Sequence, residues 1–159
     1  YKSGKYTIER PLHLGAMLAS PERAAELLPA LSAYGLPLGD AFQMRDDVMG
    51  AFGETALTGK PVGDDLREGK PTPLLALAYE AATPAQREIL ALVGRPGMRD
   101  DDIARVQQVI SDTGALATLE ARIEALTDEA LAALERIPLT DEARTELVAL
   151  AAYVSWRQV

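Results

Sequence analysis

Two adjacent aspartates, Asp46 and Asp47, follow a glutamine within Gly39-Asp40-Ala41-Phe42-Gln43-Met44-Arg45-Asp46-Asp47-Val48-Met49-Gly50. If the segment is helical, Gln43, Asp46, Asp47 and Gly50 fall at offsets 0, 3, 4 and 7 and share one face. Leu38, Ala41, Phe42, Val48, Met49 and Phe52 line another, apolar face. Neighbouring carboxylates repel unless a cation offsets them, and hard oxygen ligands suit Mg²⁺. Mg²⁺ commonly takes one or two carboxylates and completes its shell with water and phosphate oxygens. The pair therefore reads as a half-site that expects a diphosphate. An arbitrary Asp-Asp pair is usually no more than a solvated face. Here Gln43 one turn earlier and the cations of the next loop favour chemistry.

Those cations sit in Thr58-Gly59-Lys60-Pro61-Val62-Gly63-Asp64-Asp65-Leu66-Arg67-Glu68-Gly69-Lys70. Gly59 and Gly69 each precede a lysine and let backbone approach an anion closely. Lys60 and Lys70 can serve as point charges for phosphate. Lys2 is a third candidate, with the Ser3 hydroxyl beside it. Any one of these lysines alone would read as surface solvation.

Gly39-x-x-Phe42-Gln43-x-x-Asp46-Asp47 resembles the second aspartate-rich motif of the trans-polyprenyl diphosphate synthases, the farnesyl and geranylgeranyl diphosphate synthase family. Phe52-Gly53, Thr58-Gly59-Lys60, and Gly63-x-Asp65-Leu66 to Gly69-Lys70 match that family's next block in order. Lys2-Ser3-Gly4 resembles its upstream Lys-Thr-Gly/Ala element, and Tyr34-Gly35-x-x-Leu38-Gly39 also fits. The likeness extends over nearly the whole chain, with the motif blocks in residues 1–70. It implies an all-α, isoprenoid-synthase-type helical bundle, of which residues 1–159 form the C-terminal part.

The implied activity is Mg²⁺-dependent condensation of isopentenyl diphosphate with an allylic prenyl diphosphate, in a cytoplasmic homodimer. By the resemblance, Asp46 ligates Mg²⁺, Asp47 supports it, and Asp65 joins the outer shell more weakly. Lys2, Lys60 and Lys70 hold diphosphate oxygens, Ser3 and Gln43 line the allylic site, and Lys2, Gln43 and Lys60 take part in catalysis. The alternatives are a terpene cyclase on the same fold and a non-catalytic helical module.

Two departures stand out. Gly50 occupies the place where the family motif usually has a third Asp. The family's first aspartate-rich motif belongs upstream of Lys2 and is absent from these residues, so the chain is expected to be a fragment that is inactive alone. Asp100-Asp101-Asp102 is no substitute, because it follows Pro96-Gly97 and opens a helix, where acids favour the dipole. His13, the only histidine, has no metal-ligand partner at suitable spacing and reads as a packing residue. Tyr153 and Trp156 read as helix-packing aromatics.

The elements that must position these groups are helical. Ala and Leu recur throughout, and no alternating stretch suggests a strand. Helices are expected at about 4–19, 21–34, 38–52, 72–82, 84–94, 100–112, 115–136 and 140–156. Ser20 should cap the second, with Pro21 at its first position, and Gly35 and Pro37 should mark a kink or short break before the third. In the first, Ile8, Leu12, Leu14 and Leu18 should point inward. Leu116, Leu119, Ile123, Leu126, Ala130 and Leu134 form a core-facing stripe. Residues 53–71 read as a long loop, of a length that is usually functional or disordered.

The 159 residues carry 16 Lys and Arg against 24 Asp and Glu, a net charge of −8. That balance argues against nucleic acid and anionic membranes as partners. The lack of cysteine excludes disulfides and thiolate metal sites and fits a reducing cytoplasm. No apolar run reaches a membrane span.

Overall fold

The computed structural model describes residues 4–53 and 62–155. Every described element is helical. A π-turn at Lys5–Glu9 leads into α1 (Arg10–Ala19), and a 3₁₀ turn at Pro21–Arg23 leads into α2 (Ala24–Phe52). Then follow α3 (Asp64–Glu68), α4 (Pro73–Ala81), α5 (Pro84–Leu90), α6 (Asp100–Asp112), α7 (Ala115–Leu134) and α8 (Asp141–Ser155). The chain divides into two compact units. One joins the residues up to Gln43 with those from Arg122 onward, and the other is centred on Met44–Ala121.

The largest departure from expectation is α2, which runs unbroken through Gly35 and Pro37. An interior proline removes a backbone hydrogen bond and costs about 3 kcal/mol. Burial outweighs that cost, because Tyr34, Leu38 and Ala41 are all 0% exposed. Gly35 proves to be a packing position. A Cβ there would lie 3.1 Å from Leu12 Cδ1 and 3.2 Å from Glu9 Cα. Ser20 precedes the 3₁₀ turn with Pro21 at its first position, but makes no side-chain cap bond.

In the first unit, Ile8, Leu27, Leu31, Tyr34, Leu38, Ala130, Leu134, Ile137, Ala151 and Val154 form the core. The Tyr34 hydroxyl donates to the Leu147 carbonyl at 2.7 Å, and burial pushes the phenol well above its ordinary pKa. Ile8 is buried as expected and Leu12 is half-buried, whereas Leu14 and Leu18 are 61% and 78% exposed. At 100° per residue Leu14 lies roughly 120° around the helix from Ile8, so the four leucine and isoleucine positions never shared one face. His13 is half-buried and hydrogen-bonded rather than packed in apolar surroundings. Its Nε2 meets Ser32 Oγ at 2.9 Å, and Ser32 donates to the buried Glu9 at 2.7 Å. Tyr153 is 66% exposed, so it is no core aromatic, and Trp156 lies outside the described residues.

The α7 stripe is buried from Leu119 to Leu134, with Leu116 half-buried at its start. Arg144 closes the C-terminus of α7 by donating to the carbonyls of Leu134 and Ile137 at 2.6 and 2.8 Å. In the second unit, Thr83 and Gln86 form a reciprocal capping box on α5. That helix ends at Leu90, short of the expected residue 94, in turns closed by left-handed Gly94.

Gly4 and Gly39 mark the tightest backbone crossing of the first unit: a Cβ on Gly39 would lie 2.7 Å from Gly4 Cα. Gly15 in α1 has nothing within 4 Å of the same position. Gly39→Val should therefore lower unfolding stability by about 2 kcal/mol or more, since backbone on both sides must part. Gly15→Ala should leave stability unchanged or raise it by up to about 1 kcal/mol. Denaturant melts of both variants check the contrast, and equal effects would refute the crossing.

Candidate functional site

The last turns of α2 carry Asp46, Asp47 and Gly50 in succession. Asp47 is 3% exposed, while Asp46 is half-buried. A buried carboxylate needs a cation or several donors close by. α3 and the two residues after it bring one. This single turn is bracketed by Gly63 and Gly69, at φ 71° and 69°, conformations that glycine adopts without strain. The Gly69 turn folds Lys70 back over α3, so that its backbone N–H bonds the Asp65 carbonyl at 3.0 Å. Its ammonium then donates to Asp65 Oδ2 at 2.8 Å and lies 3.5 Å from Asp47 Oδ1. Asp65 is 6% exposed. The hydrogen bond to Asp65, with the charges of Asp65 and Asp47, raises the Lys70 pKa above its ordinary value against the opposing effect of partial burial.

Of the residues singled out in the sequence, Asp47, Asp65 and Lys70 thus come together around one ammonium. Asp46 adjoins them on α2. Asp64 is half-buried at the first position of α3. Gln43 is half-buried one turn before Asp46 on the same helix and belongs to the first unit. Lys2, Ser3 and Lys60 lie outside the described residues. Among the described residues no group of three His, Cys, Asp or Glu forms a metal cage by itself. The donor set nonetheless fits Mg²⁺, because it offers hard carboxylate oxygens and no nitrogen or sulfur, and leaves coordination positions for water and phosphate. The Asp100 cluster behaves as a cap. Asp102 accepts from the Arg99 backbone N–H at 3.2 Å, and Asp100 pairs with Arg67.

Sequence reasoning missed Arg45. It is 5% exposed and grips Glu120 through two hydrogen bonds of 2.6 Å, tying α2 to the start of α7 within the second unit. The signal was present, because Arg45 stands at offset 7 of the Leu38 stripe, where an apolar residue is due. Gln107 was also missed: it donates to the Ala51 carbonyl at 2.6 Å and satisfies an end group of α2.

The family model for polyprenyl synthetases matches residues 1–112. A geranylfarnesyl diphosphate synthase of Aeropyrum pernix is 38% identical over 143 residues, covering 90% of this chain and 43% of its own length. A (2E,6E)-farnesyl diphosphate synthase of Mycobacterium tuberculosis is 34% identical over 149 residues, covering 91% of this chain and 41% of that protein. A crystal structure of the Corynebacterium glutamicum geranylgeranyl pyrophosphate synthase, complexed with isoprenyl diphosphate and magnesium, superposes with a TM-score of 0.91 at 46% identity. It covers 99% of this chain and 44% of that one. The chain spans less than half the length of these relatives.

Lys70→Met would leave Asp47 and Asp65 buried without their shared cation. Lys70 is itself 42% exposed, so the loss should be about 1–2 kcal/mol rather than the larger cost of a fully buried pair. Because Lys70 stays charged in the parent at both values, the deficit should be present at about pH 5 and at about pH 8 alike. In the parent, the raised Lys70 pKa keeps its contribution intact through neutral pH and releases it only in strongly alkaline solution. Thermal melts at both pH values check this, and a variant melting like the parent at each would overturn the assignment.

Proposed function

The chain belongs to the polyprenyl synthetase family, and from that premise we propose that the intact protein condenses isopentenyl diphosphate with an allylic prenyl diphosphate. The observation that carries the reading is the burial of Asp47 and Asp65 around Lys70, within the motif blocks that resemble the family's diphosphate site. The terpene-cyclase and scaffold alternatives gain no support from the relatives above, which are named as prenyl diphosphate synthases.

In this reading Asp46 and Asp47 hold Mg²⁺ and Asp65 stands in its outer shell. When bound, the ion supplies neutralisation of the diphosphate oxygens as negative charge develops on them. Lys70, with Lys60 and Lys2, holds the same diphosphate by fixed positive charge. Ser3 and Gln43 line the allylic substrate. The allylic C–O bond breaks and its electron pair leaves with the diphosphate. The double bond of isopentenyl diphosphate then forms the new C–C bond, and a proton is lost to restore the alkene. Apolar walls keep water from the cation. The working form is a homodimer in the cytoplasm, a setting that the family resemblance supports. Among the described residues no helix is long and apolar enough to cross a membrane.

Radiolabelled isopentenyl diphosphate, offered with an allylic diphosphate, should yield a longer prenyl diphosphate with the intact protein, and none when Mg²⁺ is chelated. The 159-residue chain by itself should give no product, and the intact protein should sediment as a dimer at micromolar concentration. Asp46→Ala should lower kcat at least ~10²-fold, equivalent to about 3 kcal/mol of lost transition-state stabilisation. Asp101→Ala should cost about 1 kcal/mol or less of stability and leave the rate nearly unchanged. Equal losses in two folded variants would remove Asp46 from the metal site.

A further inference from the structure

Gly50 follows Asp46 and Asp47 by four and three residues, so it faces the same side of α2. Where a Cβ on Gly50 would stand, the structure already holds the Asp65 carboxylate. The added carbon would overlap Asp65 Oδ2 and Cγ and would lie 3.0 Å from Oδ1. Asp65 cannot simply swing away, because Lys70 holds the same Oδ2 at 2.8 Å and is itself drawn toward Asp47 at 3.5 Å. The Asp65 side chain is 9% exposed, so a new rotamer would have to find donors inside the protein. α2 and α3 therefore meet with a carboxylate of one seated in the missing side chain of the other.

We propose that Gly50 is a positioning residue of the metal and diphosphate site: by carrying no side chain, it admits the Asp65–Lys70 pair of α3 onto the acidic face of α2 beside Asp47. An acid at position 50 and the present placement of Asp65 exclude each other. The third carboxylate of this face comes from α3 rather than from the next turn of α2. This rests on the metal-site reading above, but the steric interlock stands on contacts within the chain alone.

The test separates the two. In the intact protein, Gly50→Ala should lower Tm by several degrees without any ligand, and the same change in an Asp65→Ala background should lower it little or not at all. Additive shifts would overturn the interlock. If Gly50→Ala fails to fold, Gly50→Ala/Asp65→Ala should fold, and its failure too would overturn the proposal. Calorimetric titration with Mg²⁺ and inorganic pyrophosphate reads the positioning role. Gly50→Ala and Gly50→Asp should each bind about 10-fold more weakly than the parent, a change of roughly 1.4 kcal/mol. Gly50→Asp binding as tightly as the parent, or more tightly, would sink the proposal, because an added acid would then join the site without displacing Asp65. Strong coupling in the melts together with absent prenyl transfer would leave the interlock standing and remove the enzymatic reading.

Discussion

Two carboxylates cannot stay buried side by side without a cation, and the local architecture of the second unit follows from meeting that condition. Asp47 projects from α2 and Asp65 from α3, and the single ammonium of Lys70 serves both. For Lys70 to reach them, the chain must reverse immediately after α3, which the left-handed Gly69 allows. The reversal also needs a surface to press on. Gly69 meets Gly94 so closely that a Cβ on Gly69 would lie 2.8 Å from Gly94 Cα, and the Gly94 N–H donates to the Leu66 carbonyl at 2.9 Å. Arg67 adds a 2.6 Å bond to the Met98 carbonyl. A five-residue helix would not persist alone, and these ties substitute for the length it lacks.

The same condition recurs on the other face of α2. Arg45 interrupts an apolar stripe and is buried there, so it too requires a partner, which Glu120 supplies bidentately. The two ion pairs clamp α2 from opposite directions across the turn that bears Asp46 and Asp47. A guanidinium held at both nitrogens fixes rotation about the helix axis better than apolar contacts do, because its geometry tolerates little misalignment. Metal ligands on an adjacent turn inherit that precision.

Much of this could be read from the residues. The helical class followed from composition and periodicity, and α4, α6, α7 and α8 begin and end within a residue or two of expectation. What failed were judgements of which surface of an element is buried, and against what. Gly35 and Pro37 look like breakers until the burial of Tyr34 and Leu38 is weighed against them. Leu14 and Leu18 look internal until their angular position is compared with Ile8. Asp46, Asp47 and Lys70 could be picked out by type and spacing, and Asp65 through the family resemblance. That Lys70 would pair with the acids was not legible, because the 3.5 Å approach to Asp47 spans 23 positions of sequence.

The gathering of carboxylates in this cluster explains why it suits an added cation. Asp46, Asp47 and Asp65 bring three carboxylates into a partly dehydrated place, and Lys70 meets two of them. Lys70 satisfies the two most buried carboxylates and Asp46 remains half-buried at their edge. A protein built only for stability would favour an apolar replacement of such a group, since buried ion pairs seldom outperform well-packed hydrocarbon. Retaining three acids beside a tightly interlocked glycine is costly for folding. It becomes favourable where a divalent ion, with phosphate oxygens on its far side, completes the neutralisation.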